Sequence, residues 1–191
     1  MIEISFMGRG GQGVVMASQI MGMAFFKADM YPQCYSLFGG ERRGAPVVSF
    51  LRVDKEKILL KCDIKHPDEI VFFDSSLIDQ DAIHTMMRAR GKILINTTQS
   101  DDQFAKLSGF SVGLVNANGI AEELGLNHVI NTILLGAYCR LTENLSLEHL
   151  TEAVEEMVPG RIEDNIKAVE KGYENMKFAL HRPTSNEAIH S

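Results

Sequence analysis

Cysteine is scarce and scattered. The chain of 191 residues has three, Cys34, Cys62 and Cys139, with no C-x-x-C spacing. That excludes an iron–sulfur cluster or a cysteine zinc site built from this chain alone, and it fits reduced, mostly buried thiols in a cytoplasmic protein. The six histidines show no ligand spacing. No basic block offsets the formal net charge of -6, so the phosphates of nucleic acid would be repelled on average. The longest apolar run, Val14 to Phe26, is interrupted by Ser18 and Gln19 and is too short to cross a bilayer. The N-terminus lacks the basic region of a signal peptide, so the expectation is no membrane association and no export.

What is present is ordinary globular composition, 45% hydrophobic and 23% charged, with chain enough for one domain and a real core. The expected domain is 1–180, followed by a loose polar tail over 181–191. Ile2, Ile4 and Phe6 alternate with Glu3 and Ser5 as in a half-buried strand, and a helix is expected from Gly13 to about Lys27. Further strands are expected at Gln33 to Phe38, Ala45 to Val53, Lys57 to Lys61, Ile70 to Phe73, Lys92 to Asn96 and Ser111 to Val115.

Asp74-Ser75-Ser76 is placed to cap a helix over Leu77 to Arg90, with Gly91 as its C-cap. After Ala117 the pattern becomes helical. Asn127 is the expected cap of a helix through Leu141, with Val129, Ile133, Leu134 and Ala137 inward, and Ser146 caps the next. A last helix carries Ile162, Ile166, Val169, Tyr173, Met176 and Leu180, a stripe suited to core packing or to a partner. Gly172 within it should weaken the helix by roughly 1 kcal/mol relative to alanine. The fold class read from this order is α/β: a three-layer, Rossmann-like central sheet, mixed in direction and flanked by helices, with a helical C-terminal third.

The strand-to-helix junction reads Gly8-Arg9-Gly10-Gly11-Gln12-Gly13. In a dinucleotide site Gly8 would make the turn, Gly10 would admit a phosphate and Gly13 would let helix and strand pack closely. The alternative is a glycine turn needed only for packing. The nicotinamide reading is weakened because the second strand ends near Leu37-Phe38 without the carboxylate that grips a ribose. Asp29 comes too early, and Glu41 lies in the next turn.

That next turn, Gly39-Gly40-Glu41-Arg42-Arg43-Gly44, crowds charge and glycine together. If both loops reach one sheet edge, Arg42 or Arg43 could bind an anion or a partner beside the glycine turn. Otherwise it is a solvated surface turn with a local Glu–Arg pair. No catalytic constellation stands out. Ser75-Ser76 lacks a His–Asp motif, Asp79, Asp81, Asp101 and Asp102 read as caps or solvent-facing groups, and the stretch Cys62 to Asp68 has no assignable chemistry.

Gly8 to Gly13 followed by Phe38-Gly-Gly-Glu-Arg-Arg-Gly-Ala-Pro-Val47 strongly resembles the gamma subunit of 2-oxoacid:ferredoxin oxidoreductases, most of all the pyruvate type. Lys61-Cys-Asp-Ile and Pro67-Asp-Glu-Ile-Val agree with it, and the likeness runs from Met1 to about Leu180. The resemblance implies one component of a multi-subunit oxidoreductase that oxidatively decarboxylates a 2-oxoacid to an acyl-CoA and reduces ferredoxin. It implies alpha, beta and ferredoxin-like delta subunits, separate or fused, as partners, and ferredoxin as acceptor. Thiamine diphosphate with magnesium and the iron–sulfur clusters would sit in those other subunits, with coenzyme A as co-substrate. This chain would hold no catalytic residue and no metal. Gly8, Gly10, Gly11, Gln12, Gly13, Glu41, Arg42, Arg43 and Gly44 would be its candidate ligand or subunit contacts.

Overall fold

The computed structural model describes residues 1–38, 44–126 and 129–179. Among them a seven-stranded mixed sheet runs in the order β2-β3-β1-β4-β5-β6-β7. The strands are β1 (Ile2–Arg9), β2 (Tyr31–Phe38), β3 (Pro46–Asp54), β4 (Glu69–Phe72), β5 (Lys92–Asn96), β6 (Ser111–Val115) and β7 (Lys177–Phe178). β1, β4, β5 and β6 are parallel neighbours. β3 enters antiparallel beside β1, β2 pairs antiparallel with β3, and the short β7 closes the other edge antiparallel to β6. The helices are α1 (Val14–Lys27), α2 (Gln80–Met86), α3 (Ala117–Glu123), α4 (Asn131–Thr142), α5 (Leu147–Met157) and α6 (Ile162–Asn175).

The strands alternate their side chains between two cores, as the pleat requires. Ile4, Phe6, Leu51, Val71 and Leu94 meet α1 and the C-terminal helices in the larger core. Ile70, Phe72, Ile93, Ile95 and Val112 meet α2 and the 3-10 segment Asp101–Leu107 in the smaller one. Among the described residues the smaller core holds none from β2 or β3, so their third layer covers the parallel half of the sheet only. α1 is tied to the antiparallel half by a buried chain of hydroxyls: Ser18 Oγ lies 2.6 Å from Ser49 Oγ, and Ser49 Oγ lies 2.7 Å from Ser36 Oγ.

Several sequence expectations change. Lys57 to Lys61 is not a strand; it belongs to the connection that carries the chain from β3 across to β4. Asp74 does cap, but over the 3-10 turn Ser75–Leu77, and Asp79 then caps the shorter α2. The helix stops at Met86, and Gly91 is a point of close approach where a Cβ would lie 2.6 Å from the carbonyl oxygen of Asp68. α4 starts at Asn131, which leaves Val129 outside it and exposed; Asn127, the expected cap, lies outside the described residues. Ser146 caps α5 as expected, its Oγ accepting from the His149 backbone.

The buried stripe of α6 is Asn165, Ala168, Val169 and Gly172, rotated from the apolar repeat because the helix crosses α4 at glycines. A Cβ on Gly172 would stand 1.9 Å from the Ile133 carbonyl oxygen, and one on Gly136 would stand 1.9 Å from that of Val169. Gly172 is therefore a requirement of the crossing rather than a weakness. The thiols are also not mostly buried: Cys34 and Cys62 are exposed, and only Cys139 is buried. Leu180 and the expected tail over 181–191 lie outside the described residues.

Candidate functional site: the glycine turn at the sheet's carboxyl edge

β1 and β3 pair from Ile2↔Val53 to Arg9↔Pro46, which carries the two glycine-rich loops to the same edge of the sheet. Their backbones join there. The N–H of Gly10 donates to the Ala45 carbonyl at 2.9 Å, and the N–H of Gly44 donates to the Gly10 carbonyl at 3.1 Å. Gly44 and Gly11 both take positive φ, 88° and 99°, which favours glycine over residues with a Cβ. Glu41, Arg42 and Arg43 lie outside the described residues.

Each residue of the turn has a structural task. Gly8 is buried, and a Cβ there would lie 2.6 Å from Val14 Cγ2 and 2.7 Å from Phe73 Cβ, so it serves close packing. Gln12 folds back, its Oε1 accepting from the Arg9 backbone at 2.7 Å. Gly13 is the N-cap of α1 at φ 75°, beside the side chain of Asn131 at the start of α4. Among the described residues no side chain caps α1, and no acidic residue occupies its first turn. The α1 N-terminus thus keeps the positive end of its dipole available to an anion.

Arg9 is the residue that sequence reasoning passed over. It lies between the glycines of the motif and ties three segments together. Its Nε donates to Asp74 Oδ2 at 2.7 Å, one terminal nitrogen to Ser76 Oγ at 2.9 Å and the other to the Gly44 carbonyl at 3.2 Å. Partial burial of Asp74 opposes its ionisation. Hydrogen bonds from Ser76 and the Arg9 guanidinium outweigh that and hold the carboxyl below its ordinary range. The only sequence signal was an arginine inside G-x-G-x-x-G; its partner Asp74 is remote in the chain.

This edge is where open α/β sheets bind ligands, at the reversal of strand order beside β1 and β4. The neighbouring geometry does not suit a dinucleotide. The ribose carboxylate would come from the strand next to β1, and here that neighbour is the antiparallel β3. β2 ends a further strand away, at roughly twice the ~4.8 Å inter-strand spacing. A second opening, a cleft of about 570 Å³, lies further along the same edge between the segment after β5 and the end of β6, lined by Thr97, Asn116, Glu123, Asn175 and Lys177 among others. Cys62 to Asp68 lies at the opposite edge, where Glu3 bonds both the buried Arg52 (2.8 Å) and Arg88 (2.9 Å).

A family model described as pyruvate ferredoxin/flavodoxin oxidoreductase matches residues 3–175, and the chain belongs to that family. Within it, the chain is of the gamma-subunit type. It is 40% identical over 177 residues to the pyruvate/ketoisovalerate oxidoreductases common subunit gamma of Thermococcus kodakarensis, covering 91% of this chain and 96% of that one. It is 39% identical over 184 residues to the gamma subunit of the NADH-dependent phenylglyoxylate dehydrogenase of Aromatoleum evansii, covering 95% and 96%. The crystal structure of the pyruvate oxidoreductase subunit PORC from Thermotoga maritima superposes with a TM-score of 0.80 at 32% identity, covering 93% of this chain and 97% of that one.

Proposed function

We propose that this chain serves a thiamine diphosphate-dependent, cytoplasmic 2-oxoacid:ferredoxin oxidoreductase as an assembly and ligand-contact subunit, inactive by itself. The observation that carries the reading is the joined pair of glycine loops. Through Gly10, Gly44 and Ala45 they meet beside the α1 N-terminus, and among the described residues no side chain caps that helix and no catalytic constellation lies beside it. The likeness to gamma subunits over nearly the whole chain supports it.

The donor groups of this chain do not suit the complex's metal chemistry. Among the described residues no cluster of three His, Cys, Asp or Glu could hold a metal ion, and the three cysteines are dispersed. In the proposed division of labour the iron–sulfur clusters and the magnesium of thiamine diphosphate would sit in the alpha, beta and ferredoxin-like delta subunits. Coenzyme A is different, because its phosphates match what the turn offers: α1 N–H groups and the Arg9 N–H groups not already given to Asp74, Ser76 and Gly44, with Arg42 and Arg43 as further candidates. Bound there, coenzyme A would supply the thiol that accepts the acyl group. This chain would hold its anionic end in place.

Pyruvate is the proposed substrate, on the Arg42-Arg43-Gly44-Ala45-Pro46 motif. Nearly equal identity to gamma subunits of a pyruvate/ketoisovalerate enzyme and of a phenylglyoxylate enzyme supports placing the choice of 2-oxoacid in the companion subunits.

The test is calorimetric titration of coenzyme A into the assembled complex carrying Arg9→Ala or Arg42→Ala/Arg43→Ala. Loss of one or two phosphate contacts should weaken binding by roughly 1.5–3 kcal/mol each. Unchanged affinity together with unchanged assembly would reduce the two loops to a packing device. A dissociation of the chain from its companions, with coenzyme A affinity retained, would make them a subunit contact instead.

A further inference from the structure

A group of exposed apolar side chains lies far from the glycine turn, at the end of β3. In the connection after Asp54, Leu59 is 79% exposed and Leu60 is 43% exposed. Beside them, Tyr31 on β2, opposite Asp54, is 49% exposed. Tyr31, Gln33, Tyr35 and Leu37 share the face of β2 turned away from α1, and that is the half of the sheet without a third layer. The leucines are held rather than loose. Gln33 Nε2 donates to the Leu60 carbonyl at 2.9 Å, the Ile64 N–H donates to the Tyr35 hydroxyl at 2.6 Å, and Ile64 itself is buried.

Charge separates this corner from the rest of the chain. Lys55, Lys57, Lys61 and Lys65 are all exposed, and their ammonium groups make no ion pair among the described residues. They outnumber Glu56 and Asp63 in the same connection, in a chain whose formal net charge is -6. A preorganised apolar centre with unpaired lysines at its rim is the anatomy of a protein contact.

We propose that residues 55–65 and the adjoining outer face of β2 seat an acidic, apolar-centred surface of a companion subunit. The proposal rests on the gamma-subunit reading above. A second copy of this chain fits poorly, because a two-fold contact through this corner would bring the same lysines face to face. An acidic partner surface would pair them and cover Leu59 and Leu60, and rim charges of this kind make association fast and salt-sensitive.

The test uses the complete complex, with a tag on a companion subunit and this chain titrated in at several salt concentrations. Lys55→Glu/Lys57→Glu/Lys61→Glu should weaken association by at least about tenfold at low salt and flatten its salt dependence. Leu59→Ser/Leu60→Ser should weaken it by at least about tenfold at every salt concentration. All five side chains are exposed, so unchanged melting of the isolated variants is expected and serves as the folding control.

Association equal to that of the unsubstituted chain in either variant overturns the proposal. So does sedimentation showing that the unsubstituted chain self-associates through this corner, or its capture on vesicles of anionic phospholipid with assembly unaffected by the substitutions. If the unsubstituted chain joins no companion subunit, the gamma-subunit reading falls and the proposal with it. If it joins and the variants join equally well, only the proposal falls.

Discussion

Replacing Gly172 by alanine sets two effects of opposite sign against each other. Helix propensity alone favours alanine by about 0.8–1 kcal/mol. Packing opposes it. The new Cβ would stand 1.9 Å from the Ile133 carbonyl oxygen and 2.7 Å from its carbon, whereas ordinary C···O contact begins near ~3.3 Å. α4 and α6 would have to part by about 1 Å or more, and a gap of that size forfeits about a quarter to a half of each dispersion contact along the crossing. These two helices make the most extensive contact between any two elements described. The buried hydrogen bond from Thr132 Oγ1 to Asn165 Oδ1, now 3.0 Å, spans the same crossing and would lengthen.

Overpacking of this kind costs about 3–4 kcal/mol, at or above the usual upper range, so the net loss after the propensity gain is about 2–3 kcal/mol. For a domain of this size that lowers the melting temperature by about 5–10 °C. Thermal unfolding of the isolated chain followed by circular dichroism measures it. A melting temperature equal to or above that of the parent would show that propensity wins and would refute the crossing argument. Because Asn131 at the start of α4 abuts Gly13, the same substitution should also disturb the glycine turn.

Two further expectations concern titration and thiols. Burial raises the pKa of Glu69 above the ordinary carboxylate value, although the Tyr138 hydroxyl, Lys92 and Asn144 all favour its ionised form. The folded chain therefore binds this proton more tightly than the unfolded chain does. The associated stability is full below the unfolded pKa and is lost as pH rises through the folded one. Glu69→Gln should flatten that decline in denaturant midpoints measured across pH; a slope identical to the parent's would discard the assignment. Ellman's reagent should titrate Cys62 readily in the native isolated chain and Cys34 only slowly, because the Cys34 thiol packs against α1 and burial pushes it up to about 11. Cys139, buried and pushed up to about 12, should react only after denaturant is added. Rapid reaction of all three thiols would contradict the burial of α4.

The sheet was largely legible because its signals are local. Ile93 to Ile95 and Val112 to Val115 are short apolar runs beside turn residues, and the bounds of β5 and β6 came out as read. The pairing of the two glycine loops was legible only as a conditional, since it depends on β3 folding back beside β1. Lys57 to Lys61 misled for a related reason: its apolar triplet looks like strand, but the chain there must pass from β3 to β4 on the far side of β1. The buried face of α6 was misread because hydrophobic periodicity does not see backbone-to-backbone contact at Gly136 and Gly172. Arg9 was missed because its importance lies in Asp74, Ser76 and Gly44, which only the tertiary fold brings to it.

The insertion of β3 beside β1 bears on how the chain is born. β1 is made before the other strands of this sheet, yet its two neighbours are β3 and β4, so Ile2 waits for Val53 and Ile4 waits for Glu69. A nascent chain leaving the ribosome can close the local β2–β3 hairpin first, but β1 and α1 have no complete seat until β4 has emerged. The strand that carries the glycine turn thus keeps both edges unpaired until β3 and β4 have followed it. Fusions that delay or strain the N-terminus should be felt in the middle of the sheet rather than at its rim.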